Sequence, residues 1–113
     1  MATRLPAHLE VSGLIRSVEA AGGFATVLSK GERDAGTIMV VLAERGGNGR
    51  AYERMPQLDG TRAWACSKRQ DAANPQAFAA YLARRGEQDP DLWVVELDIA
   101  DGERFIDPDA DLS

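Results

Sequence analysis

At 113 residues and 12.2 kDa the chain is the size of one domain and long enough to bury a core without covalent staples. Its 44% apolar and 27% charged residues fit a soluble globular domain and exclude a disordered one, and no apolar run has the length of a membrane span or a secretory leader. One cysteine and one histidine exclude a disulfide scaffold and a Cys/His zinc site within one chain, while a net charge of −5 opposes general nucleic-acid affinity. The expectation is therefore a cytoplasmic α+β domain with no cofactor and no membrane partner.

Residues 8–22 read as a helix, because Val11, Leu14, Ile15, Val18 and Ala21 recur at spacings of three and four. Gly22-Gly23 supplies its stop, since glycine takes the left-handed position after a helix without a Cβ clash. Its start has two readings, with Pro6 at the first helical position or Ser12 as the cap. Four strands follow at 24–30, 37–44, 50–55 and 62–68, separated by short glycine-containing turns, and they read as an antiparallel meander. The run Ile38-Met39-Val40-Val41-Leu42 has no polar face, which marks a central strand covered on both sides.

A second helix is expected to open at Asn74-Pro75 and stop at Gly86, with Phe78, Tyr81, Leu82 and Arg85 on one face. Trp93-Val94-Val95 marks a fifth strand over 92–99, and the Asp101-Gly102 turn suggests a short sixth at 103–106. The domain is assigned to 1–106, with 107–113 as an acidic disordered tail. The preferred arrangement is two-layered: an antiparallel sheet of about five strands in the order 5-1-2-3-4, with both helices on one face. The core is expected to hold Ile38, Val40, Leu42, Val95 and Leu97 with Leu14, Val18, Phe78 and Leu82.

Asp34-Ala35-Gly36-Thr37-Ile38, together with the stretch from Asp89-Pro90-Asp91-Leu92-Trp93 through Val94-Val95-Glu96-Leu97, resembles the bacterial family catalogued as domain of unknown function 1491. The segment Val11-Ser12-Gly13-Leu14-Ile15-Arg16 and the strand around Tyr52 fit as well. The resemblance implies a compact stand-alone domain and carries no catalytic residues.

The chemistry must then be sought residue by residue. Cys66 shares a strand face with Trp64, and as a nucleophile it needs a base; His8, far off in sequence, is the one imidazole, so a small buried hydrophobe is the expected role. Gly46-Gly47-Asn48-Gly49 has the glycines of a phosphate cradle but lies between two strands, where a hairpin turn is expected. Asp107, Asp109 and Asp111 have the spacing of early calcium-loop ligands without the later glutamate, so no metal site is assigned. A metal-dependent nuclease site is excluded because Leu28 and Cys66 stand where the carboxylates before Lys30 and Lys68 are required.

Charge is unevenly distributed. Residues 44–70 carry a net charge of +3, and residues 87–113 carry −9. Arg50, Arg54 and Arg62, with Tyr52 beside them, are thus the candidate ligand-binding residues, set against self-pairing of these arginines with the acidic C-terminal third. The leading functional reading is a small cytosolic binding or regulatory domain without catalysis. A homodimer or protein partner is the associated expectation, through an edge strand or an exposed patch at Tyr81 and Trp93. The alternative is an anion- or nucleotide-binding protein or enzyme built on the arginine cluster.

Overall fold

The computed structural model describes residues 5–106. Helix α1 (Ala7–Ala20) leads into strand β1 (Phe24–Ser29), then β2 (Ile38–Glu44), β3 (Gly47–Pro56) and β4 (Arg62–Arg69). Helix α2 (Pro75–Gln88), strand β5 (Trp93–Asp98) and a short 3₁₀ helix, Gly102–Phe105, complete the chain. Among the described residues no helix is long and apolar enough to cross a membrane. The tail assigned to 107–113 lies outside the described residues.

The two helices and five strands of an α+β domain are all present, and β5 runs antiparallel to β1 as expected. Its position is different. The sheet order is β1-β5-β2-β3-β4, so β5 lies between β1 and β2 rather than outside β1, and it pairs with β2 in parallel. The sheet is mixed, and the antiparallel meander is confined to β2, β3 and β4. Burial explains the insertion. Trp93, Val94, Val95 and Leu97 are all at most 5% exposed, on both faces of β5, and a strand at the sheet edge cannot hide both.

The same pressure separates the helices. β2 buries six consecutive residues, so a layer is required on each side of it. On one face Ala7, Val11 and Val18 of α1 meet Ile38, Val40, Leu42, Trp93, Val95 and Leu97. On the other, Phe78 and Leu82 of α2 meet Met39, Val41, Ala51 and Val94. The architecture is therefore three-layered, with one helix on each face, not two-layered. The expected core is otherwise in place, except that Leu14 is only partly buried at its margin.

The two ends of α1 have different solutions. Gly22, at φ +91°, turns the chain, and the Gly23 amide donates to Val18 O at 2.9 Å, so the predicted stop is a backbone cap. At the start Pro6 is the N-cap, and the loop before β2 takes up the free amides: Ala7 donates to Asp34 O at 3.0 Å and His8 to Arg33 O at 2.9 Å. That loop also holds β5. Glu32 N donates to Asp91 O at 3.1 Å, and the Trp93 indole donates to Glu32 O at 2.7 Å. The loop before β2 and the stretch leading into β5 are thus held together as one clasp.

Three smaller expectations are corrected. Gly86 lies inside α2 rather than ending it; a Cβ there would stand 2.6 Å from Ser29 Oγ, so the glycine lets the helix approach β1. The sixth strand does not form. The segment at 103–106 is largely 3₁₀ helix, because Ile106 turns into the core and Gly102 packs against Leu42. The apolar patch at Tyr81 and Trp93 is absent, since Trp93 is core and Tyr81 is half-buried against α2's own cluster.

Candidate functional site

The residues singled out for anion binding lie along β3 and β4. Arg50, Tyr52 and Arg54 alternate along β3, which turns all three toward the α1 face. Arg50 is 4% exposed. Its Nε donates to Glu103 Oε2 at 2.8 Å, its Nη2 to Glu103 Oε1 at 3.1 Å, and its Nη1 to Asn48 O at 2.8 Å. The Tyr52 hydroxyl donates to Glu103 Oε2 at 3.0 Å. Arg54 pairs with Glu10 of α1 and stacks over the Trp64 ring at 4.6 Å. Arg62 is exposed at the start of β4, where it joins Arg54 and Arg85 around a small cavity of about 180 Å³ that also contains Glu53 and Asp89. The structure therefore brings Arg50 to Tyr52 and Arg54 to Arg62, and each of these groups contains an internal carboxylate.

The electrostatics follow from these pairs. Burial acts to raise the Glu103 pKa, but the hydrogen bonds from Arg50, the backbone and Tyr52, together with the Arg50 charge, outweigh it and hold the carboxyl below its ordinary range. Burial and the bond to Glu103 push the Tyr52 phenol up. On the α2 face Arg85 donates to Glu53 at 2.7 and 2.8 Å, and that pairing lowers the Glu53 pKa. Carboxylates with depressed folded-state pKa values stabilise the fold above their unfolded pKa, about 4.3, and lose that contribution as pH falls through the folded value. Unfolding free energy measured in urea is expected to drop steeply below about pH 4, and Glu103→Gln is expected to flatten that limb.

The remaining sequence candidates fall apart in space or into local roles. Cys66 is exposed rather than buried, because β4 is a sheet edge; its thiol lies 3.6 Å from Lys68 O. His8 sits at the start of α1, with Nδ1 3.1 Å from Arg33 O. In the 46–49 segment only Gly46 belongs to the turn. Arg45 and Gly46 both have positive φ and make a two-residue hairpin, and Gly47 already pairs with Glu44. The turn amides are occupied: Arg45 N and Gly46 N donate to the Asp98 carboxylate at 2.8 and 2.9 Å. Among the described residues no three His, Cys, Asp or Glu side chains gather closely enough to hold a metal.

A concave site of mainly apolar lining lies on the α2 face, and the sequence reading missed it. Phe78 rests on Gly49 of β3, where a Cβ would come within 2.6 Å of its ring, and Gly86 rests on Ser29 of β1. α2 thus crosses the sheet from β3 toward β1. Along its flank Ala79 and Ala83 are too short to reach the strands, and a groove of about 380 Å³ stays open. Its walls and floor include Leu28, Ala43, Leu82 and Val94, with Glu96 rising from β5 between Thr26 and Val41. Glu96 is half-buried, and no donor or cation pairs with it among the described residues. Burial, and then the like charge of Asp98, push its carboxyl above the ordinary range. The available signals were the alanines between the apolar positions of α2 and one acidic residue within the apolar run of β5.

Fold and groove together define a small α+β domain with an apolar recess on one sheet face. The family profile of the protein of unknown function DUF1491 matches residues 5–107, and the chain belongs to that family. A crystal structure of a DUF1491 family protein from Caulobacter crescentus CB15 is 35% identical, with a TM-score of 0.78 over 92% of this chain and 96% of that one. An NMR structure of a DUF1491 family protein from the same organism is 34% identical, with a TM-score of 0.76 over 94% and 96% of the two chains. A solution structure of a protein from A. tumefaciens is 34% identical, with a TM-score of 0.71 over 92% and 93%. No curated protein matches the chain.

Proposed function

We propose that this protein is a small cytosolic binding domain without catalysis, and that the groove beneath α2 is its ligand seat. The observation that carries this reading is Glu96: an unpaired carboxylate in a recess of otherwise mainly apolar lining. Such a cavity, with few convergent polar groups, is the usual form of a small-molecule site. The exposed thiol of Cys66 suits a reducing compartment. The arginines of β3 support the anion-binding alternative less well, because an incoming anion has to displace Glu103 from Arg50 or Glu10 from Arg54.

A group that stays unpaired in a desolvating position costs stability, and its retention is what a functional site leads one to expect. Because the folded-state pKa of Glu96 is raised, protonation or neutralisation favours the folded state. Glu96→Gln is therefore expected to raise Tm at pH 7 by about 1–3 °C in a calorimetric scan. The seat itself is tested by a thermal-shift screen of small apolar compounds against the wild type and Ala83→Leu. Ligands that raise the wild-type Tm are expected to lose that effect when the leucine fills the groove. Equal shifts in both proteins would place the ligand elsewhere.

A further inference from the structure

Building on the groove as the ligand seat, we propose that its ligand is an apolar primary amine, whose ammonium group pairs with Glu96 while its hydrocarbon body lies against Leu28, Leu82 and Val94.

The distribution of charge in the recess points to a cation. Two other polar side chains line it, and neither carries a charge. Gln70 accepts a hydrogen bond from Gly49 N at 3.0 Å, and Ser29 is pressed against Gly86. Glu96 is the one charged side chain in the lining. Two residues along β5, Asp98 adds a second negative charge, whose oxygens accept bonds from the turn amides of Arg45 and Gly46 without a neutralising side chain. The lining contains no lysine or arginine. An anionic ligand would enter a field of its own sign, whereas a cation restores the partner that Glu96 lacks.

The shape limits the rest of the ligand. A volume of about 380 Å³ lies at the small end of ligand pockets and takes one ring or short chain with a head group. The wall made by Ala79, Ala83 and Leu82 offers methyl and branched aliphatic surface and no donor, so it selects for hydrocarbon. A strongly hydrated polyamine lacks the apolar body this wall requires.

The test uses three probes that share one hydrocarbon body: 4-phenylbutylamine, 4-phenylbutanol and 4-phenylbutyrate. Their affinities are measured by NMR titration of the full chain, Glu96→Gln and Ala83→Leu. The amine is expected to bind the wild type at least tenfold more tightly than the alcohol, and the carboxylate more weakly than either. Glu96→Gln is expected to bring the amine to the level of the alcohol and leave the alcohol unchanged. Ala83→Leu is expected to remove all three. Equal amine and alcohol affinities that Ala83→Leu abolishes would overturn the cation assignment and leave the groove standing as an apolar seat. Tighter binding of the carboxylate would overturn it as well. Absence of binding by every probe would overturn the amine, and probe binding that Ala83→Leu leaves intact would overturn the groove along with it.

Discussion

Glu103→Ala is expected to lower unfolding free energy by about 3–5 kcal/mol, a large share of the total for a domain this size. The reason lies in what remains. Arg50 is 4% exposed, and Glu103 takes its Nε and one Nη, so the truncation leaves a buried guanidinium with only Asn48 O at 2.8 Å and Glu44 at 3.7 Å. The Tyr52 hydroxyl loses its acceptor at the same time. Removing both charges, as in Arg50→Met with Glu103→Leu, is expected to cost less than Glu103→Ala alone, because no unpaired charge is left in the interior. Urea denaturation of the single and double variants reads this directly, and a double variant less stable than Glu103→Ala would contradict the account.

Gly36→Ala is expected to be nearly as damaging, at about 3 kcal/mol or a Tm lower by roughly 10 °C or more. A Cβ on Gly36 would lie 2.5 Å from Asp91 O and 2.5 Å from Glu32 O. Both obstacles are backbone, so no side chain can swing aside. The displaced atoms belong to the clasp in which Glu32 N donates to Asp91 O and Glu32 O receives the Trp93 indole. Thermal unfolding followed by circular dichroism checks the size of the effect, and tryptophan emission in a Trp64→Phe background checks that Trp93 is released. A Tm within about 2 °C of the wild type would show that the loop relaxes freely.

The strands and helices were legible because their signals are local. Gly22-Gly23 after an apolar stripe and Asn74-Pro75 before one mark helix ends on their own. The order of the strands was not local. The apolar two-sided patterns of β2 and β5 called for central places, but nothing within 31–36 announces that this connection steps over a whole strand. That information resides in the fit of Gly31 and Gly36 against the Asp91–Leu92 backbone, which forms only once the strand is inserted. The layer arrangement was implicit in the same pattern, since a strand buried on both faces needs cover on both.

The site was legible in the opposite sense. Charge arithmetic singled out Arg50, Arg54 and Arg62 with Tyr52 beside them, and the structure sets Arg50, Tyr52 and Arg54 on one face of β3. The arithmetic does not reveal that Glu103, carried in by a 3₁₀ turn in place of a strand, sits across from Arg50. Glu96 shows the reverse. In sequence it is one acid among many in an acidic third, and its isolation is a product of α2 crossing the sheet with alanines on its flank. Composition cannot separate a paired acid from an unpaired one, because the difference lies in which strand and helix become neighbours.

The groove as the ligand seat is tested most directly by an amide chemical-shift map of the ¹⁵N-labelled full chain titrated with 4-phenylbutylamine. Saturable changes are expected to cluster at residues 28–29, 41–43, 78–83 and 94–96, the stretches that line the recess. Changes centred instead on Arg50, Tyr52, Arg54 and Arg62, or changes that do not saturate, would contradict the account.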